Sequence, residues 1–104
     1  MSNFKTISAG EAKSLLERGN TQLIDIRDAV SFEQAHIAGA VRIGNDNIDD
    51  FIKTGNKSQP LIVCCYHGIS SQHAAQFLAE QGFGDVYSLT GGFEHWRGQF
   101  PAAD

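Results

Sequence analysis

A chain of 104 residues that is 41% hydrophobic is long enough to bury a real core without disulfide or metal staples, and residues 1–104 read as one globular domain. A formal charge of −4, with the Lys and Arg residues scattered, leaves no basic patch or stripe, which argues against nucleic acid and anionic membrane surfaces as partners. The N-terminal stretch MSNFKTISAGEAK lacks the apolar core of a signal peptide, and no run of about eighteen apolar residues occurs, so a cytoplasmic protein is expected.

Phe4 to Ile7 suits a short first strand. Ser8-Ala9-Gly10-Glu11 is a capping-box pattern, and Ala12, Leu15 and Leu16 continue at helical spacing, which predicts a helix from Ala9 to Arg18 stopped by Gly19. Gln22 to Ile26 reads as a second strand running into the polar pair Arg27-Asp28, and Val41 to Ile43 as a short third. Asn47 to Lys53 has helical spacing through Ile48, Phe51 and Ile52, with Gly55 ending it. Pro60-Leu61-Ile62-Val63-Cys64 does not alternate, as expected of a central strand covered on both faces. Ser71 to Gln81 places Ala74, Ala75, Phe77 and Leu78 on one helical face, with Gly82 as its stop. Val86 to Leu89 is a fifth strand, Gly91-Gly92 a tight turn, and Phe93 to Gln99 a last helix that carries Trp96, read as core, before Pro101. The alternation of strand and helix predicts an α/β fold, a mostly parallel five-stranded sheet with helices on both faces. In such sheets ligands bind at the carboxyl ends of the strands.

Cys65 sits at one such end, in the stretch CCYHGISS. A loop that leaves a strand, turns at Gly68 and enters a helix at Ser70 or Ser71 can aim several amide groups at one point, where the helix dipole adds partial positive charge. A thiol at the rim of such a cradle has a lowered pKa and is a nucleophile at neutral pH. Cys64, one residue earlier on the strand, faces the other way and is expected to be core. Adjacent strand cysteines make a strained disulfide, so two free thiols are expected. Two anion-handling chemistries fit the cradle. Cysteine phosphatases use C-x5-R, whose arginine grips phosphate oxygens with a bidentate fork, but Ser71 stands at that position and no arginine lies between Arg42 and Arg97. Sulfur transfer needs no fixed cation, because the amide ring itself can hold an anionic persulfide.

The other polar residues point to no metal centre. The four histidines and two cysteines show no C-x2-C pair and no HExxH. Asn45-x-Asn47-x-Asp49 is faintly similar to a calcium loop, but Asp50 replaces the required glycine and Asn56 the glutamate, so it reads as an acidic helix start.

The sequence resembles the rhodanese family, and within it the small single-domain thiosulfate sulfurtransferases of the GlpE type. The resemblance rests on LIDIRD at Leu23 to Asp28, HIAGAVRI at His36 to Ile43, CYHGISS at Cys65 to Ser71 and VYSLTGGFEHW at Val86 to Trp96, in the family's order and spacing. It implies a rhodanese fold, a persulfide on Cys65 and a six-residue active loop from Cys65 to Ser70. Carried over, Cys65 is the nucleophile, while Tyr66, His67, Gly68, Ile69 and Ser70 supply the cradle through their amides, with the Ser70 hydroxyl available as a further donor. Many relatives that use thiosulfate carry basic residues in this loop. Here only His67 stands in it, with Arg27 a neighbour that either orients the loop or meets the donor, or, beside Asp28, forms a structural ion pair with a residue such as Glu33. A dianionic donor is therefore expected to bind weakly. His36, in HIAGA, is expected to shape the chain. The implied reaction moves sulfane sulfur from thiosulfate to cyanide or to a thiol protein such as thioredoxin, with neither cofactor nor metal required. The alternatives are a persulfide carrier or interaction module with poor turnover of thiosulfate, and a cysteine phosphatase or arsenate reductase, which Ser71 disfavours.

Overall fold

The computed structural model describes residues 3–104. Ser8 begins the first helix, α1 (Ala9–Arg18), as its capping box requires: the Glu11 amide donates to the Ser8 hydroxyl at 3.1 Å and the Ser8 amide to the Glu11 carboxylate at 3.2 Å. The chain then supplies β1 (Lys5–Ile7), β2 (Gln22–Asp25), β3 (Val41–Arg42), β4 (Leu61–Cys64) and β5 (Val86–Leu89), all parallel, in the order β1-β5-β4-β2-β3. The strand read as central is central. Every residue of β4 is fully buried, which is why its sequence does not alternate.

The two sheet faces have separate cores. Ile62 and Cys64 of β4 pack with Ala9 and Ala12 of α1 and with Phe93 and Trp96 of α5 (Gly92–Arg97). Leu61 and Val63 point the other way, toward Ala75, Leu78 and Ala79 of α4 (Ser70–Glu80) and the flanking Phe51 and Ile52 of α3 (Ile48–Thr54). Strand period thus splits the run between layers, and the carboxyl ends of β2, β4 and β5 lie together between them.

One helix has no counterpart in the sequence reading. α2 (Ala29–Gln34) is six residues long and buries none of them, so it shows no apolar period; Asp28 caps it, accepting from the Ser31 amide at 3.0 Å. Elsewhere only boundaries differ. Ile26 and Ile43 lie just outside β2 and β3, yet their amides still donate to the Cys64 and Asp25 carbonyls at 2.9 Å. The Asn47 side chain bridges the Gly44 amide at 2.7 Å and the Arg42 carbonyl at 2.9 Å, tightening the turn into α3. Among the described residues, no helix is long and apolar enough to cross a membrane.

Candidate active site

β4 ends at Cys64, so Cys65 is the first residue free of the ladder. The chain turns at Gly68, whose φ is 86° and where a Cβ would lie 2.8 Å from the Gly91 amide nitrogen and 2.9 Å from the Leu89 carbonyl oxygen. Only glycine fits there. The loop's outward carbonyls are taken up by α5: the Phe93 amide donates to Cys65 at 2.8 Å and the Glu94 amide to Tyr66 at 3.1 Å. With its acceptors held on that side, the loop turns its donors inward.

Those donors converge on sulfur. Cys65 Sγ accepts from the Gly68 amide at 3.1 Å and the Ser71 amide at 3.2 Å, and lies 3.2 Å from the Ser71 hydroxyl oxygen. α4 begins after Ile69, which offers no capping side chain, so the sulfur occupies the place of a cap by accepting from the helix's second residue. Burial pushes the Cys65 thiol up, but the Ser71 hydroxyl and the Ser71, Gly68 and His67 amides outweigh it and the net shift is downward. The result is a nucleophile stabilised as an anion by neutral donors, only 3% exposed, so that only a slim group reaches it.

The hydroxyl beside the sulfur belongs to Ser71, whereas Ser70 is exposed; this corrects the expectation that Ser70 supplies it. Of the other loop residues, Gly68 is buried, while Tyr66, His67 and Ile69 are exposed, Ile69 more so than Tyr66. The Tyr66 hydroxyl donates to the Asp28 carboxylate, tying the loop to the cap of α2.

Arg27 does form a structural ion pair, but with Asp25 rather than Asp28 or Glu33. Its Nη2 lies 2.8 Å from Asp25 Oδ2 and also donates to the Ala35 carbonyl at 2.8 Å, while its guanidinium carbon stands 4.2 Å from the Phe93 ring centre. Cys64 is wholly buried in the α1 and α5 layer, where burial pushes its thiol far up, and both cysteines are free. His36 stacks on Phe32 at 4.0 Å, with its Nδ1 2.7 Å from the Phe32 carbonyl oxygen, a shaping role. Trp96 lies in the core.

The sequence reading passed over Ser71 as a missing arginine and did not single out Ser88. Ser88 Oγ lies 2.7 Å from Ser71 Oγ, and its one visible signal is a hydroxyl inside the otherwise apolar strand VYSL.

Residues 8–99 match the model of the rhodanese-like domain. The chain is 51% identical over 97 residues to the thiosulfate sulfurtransferase GlpE of Shewanella oneidensis, covering 93% of this chain and 96% of that protein. It is 51% identical over 102 residues to the protein of the same name in Pseudomonas fluorescens, covering 98% and 93%. Among solved structures it is similar to the rhodanese-like domain of an Anabaena protein, with a TM-score of 0.84 and 26% identity over 94% of this chain and 77% of that one. It also shares the fold of a rhodanese-related protein from Thermoplasma volcanium, with a TM-score of 0.81 and 22% identity over 96% of this chain and 98% of that one. A family match that runs from the cap of α1 to the end of the α5 layer, around a loop of this geometry, places the chain in the rhodanese family.

Proposed function

We propose that the protein is a thiosulfate sulfurtransferase whose reaction runs through a persulfide on Cys65. The Cys65 thiolate attacks the outer sulfur of thiosulfate; a new S–S bond forms, the old one breaks, and its electron pair leaves with sulfite. The persulfide anion is then held by the amides of Tyr66, His67, Gly68, Ile69 and Ser70, which line the same loop. Cyanide, or the thiolate of a protein such as thioredoxin, attacks that outer sulfur and restores the Cys65 thiolate.

The observation that carries this reading is a sulfur ringed by amides and a hydroxyl with no cation among its hydrogen-bond partners. Phosphoryl transfer needs a fork of fixed charge at the place Ser71 occupies. A persulfide carries a single charge at one atom and is served by N–H dipoles alone. Arg27, committed to Asp25 and Ala35, acts here as a positioning residue for the neighbouring loops. Two unbridged, adjacent thiols suit the reducing cytoplasm, and on this reading residues 1–104 work as one rhodanese domain.

Intact-mass spectrometry of the reduced protein after brief exposure to thiosulfate tests the proposal. Wild type and Cys64→Ser gain one sulfur atom and Cys65→Ser gains none. A gain retained in Cys65→Ser overturns the assignment, and no gain in wild type removes thiosulfate as donor, leaving the carrier function.

A further inference from the structure

Ser71 is wholly buried and Ser88 is 1% exposed, so neither hydroxyl has water to satisfy it. They lie 2.7 Å apart, and Ser71 Oγ is 3.2 Å from Cys65 Sγ, which makes a line of three atoms reaching from the nucleophile into β5. Ser88 shares with Val86 the face of β5 that α4 covers, beneath the helix's first turn. Each hydroxyl has one proton to give. When Cys65 carries its proton, the thiol donates to Ser71 and Ser71 donates to Ser88. Once the thiol has lost its proton to solvent, the sulfur can only accept. Ser71 then turns its proton to sulfur, and Ser88 must turn its own to the Ser71 oxygen. Both changes are rotations about C–O bonds with no heavy atom displaced.

We propose that Ser88 is a positioning residue for the sulfur chemistry of Cys65: its buried hydroxyl frees the Ser71 proton to point at the sulfur whenever the sulfur is anionic. The pair strengthens a donor that already touches the nucleophile, since a hydroxyl that accepts a hydrogen bond is a better donor in turn. It also relaxes as charge leaves: in the persulfide the charge sits on the outer sulfur, the inner sulfur accepts weakly, and the Ser71 proton is released to return toward Ser88. The device rests on the sulfur-transfer reading for the reaction it serves but acts on the thiolate before any donor arrives. The titratable groups on the surrounding elements are Asp25 at the end of β2 and Arg27 after it, Cys64 on β4, Tyr66 and His67 in the loop, His73 and Glu80 on α4, Tyr87 on β5, and Glu94, His95 and Arg97 on α5, and no side chain among them hydrogen-bonds the sulfur.

The test is the pH profile of Cys65 alkylation by iodoacetamide, read by mass with the site mapped, alongside thermal unfolding. Ser88→Ala moves the midpoint up by about 0.5–1 pH unit, the size expected for loss of one neutral hydrogen bond's support. Ser88→Thr, which keeps the hydroxyl, returns it to the wild-type position. In a Ser71→Ala background, Ser88→Ala moves nothing further, because its effect passes through Ser71. If Ser88→Ala does not fold, Ser88→Cys, similar in size and a weaker donor, shifts the profile in the same direction. An unmoved midpoint in folded Ser88→Ala or, failing that, Ser88→Cys, or an equal shift with and without Ser71, overturns the proposal. Alkylation needs no thiosulfate, so either outcome leaves persulfide formation in wild type to be judged separately.

Discussion

Asp25 and Arg27 show why residue spacing matters more than adjacency at the end of a strand. Side chains two apart share a face, so Arg27 meets Asp25 while its neighbour Asp28 turns away to cap α2. Asp25 is wholly buried and Arg27 is 4% exposed, and the carboxylate accepts from Arg27 Nε at 3.0 Å, from Nη2 at 2.8 Å and from the Arg27 amide at 2.9 Å. Burial pulls the guanidinium's pKa down, but the Asp25 hydrogen bonds and charge outweigh it, so the arginine stays cationic. Removing one partner strands the other charge in the core. Asp25→Ala is therefore expected to destabilise the protein by about 3–5 kcal/mol in urea unfolding. Glu33→Ala, which changes an exposed residue of α2, should stay within about 0.5 kcal/mol. Equal losses from the two would show that the pair is dispensable.

At the scale of elements, the active loop depends on α5 as much as on α4. α5 enters through Gly91 and Gly92, both at positive φ, and its first amides hold the carbonyls of Cys65 and Tyr66. A Cβ on Gly92 would lie 2.5 Å from the Tyr66 carbonyl oxygen and 2.6 Å from that of Cys65, in a conformation with φ 61° that L side chains rarely adopt. Backbone cannot swing aside as a long side chain can. Gly92→Ala must push α5 off the loop and blur the aim of the amides, which lowers the rate of sulfur transfer by roughly a hundredfold, the scale of an ångström-sized misplacement. Gly10→Ala in α1 meets nothing within 4 Å and should leave the rate unchanged while adding about 0.5–1 kcal/mol of stability. A Gly92→Ala enzyme with wild-type turnover would detach α5 from the site. What could be read from the sequence follows the same division between local and distant causes. The capping box of α1, the glycine stops and the unalternating β4 are signals contained in a few neighbouring residues, as is the Cys65 to Ser70 loop. α2 was illegible because its stability comes from the Asp28 cap and the tie to Tyr66 rather than from an apolar period. The Arg27 partner was legible in principle from strand period. Ser88 was not, since only the placing of β5 under α4 brings its hydroxyl to Ser71.

Across the molecule, the sheet's alternation divides two chemically identical neighbours between environments that shift them in opposite directions, and stability should register both. Burial raises the Cys64 thiol above its ordinary value of 9.0, with the Asp25 charge adding to the shift. An acid raised by folding stays protonated in the native state where the unfolded chain would ionise. Stability is therefore lost as pH climbs above 9, by about 1.4 kcal/mol for each pH unit. For Cys65 burial also acts upward, but the Ser71 hydroxyl and the loop amides prevail and the thiol is lowered. Its contribution is complete above 9 and disappears as pH falls through the lowered value. The cysteines alone thus give the protein greatest stability near the ordinary thiol pKa, with Cys65 responsible for the loss on the acid side and Cys64 for the loss on the alkaline side. Tyr87, raised by burial first and by its hydrogen bond to Asp85 second, steepens the alkaline side further, and Cys64 is not among the charged groups that shift it. Urea unfolding of wild type and Cys64→Ala at pH 7.5 and at about pH 10.5 separates these contributions. Cys64→Ala should be less stable than wild type at the lower pH, because it leaves a small cavity, and should lose about 2 kcal/mol less on the way up. An identical loss in the two proteins would mean that Cys64 ionises in the native state, which a side chain sealed between α1, α5 and the centre of the sheet has no water to allow.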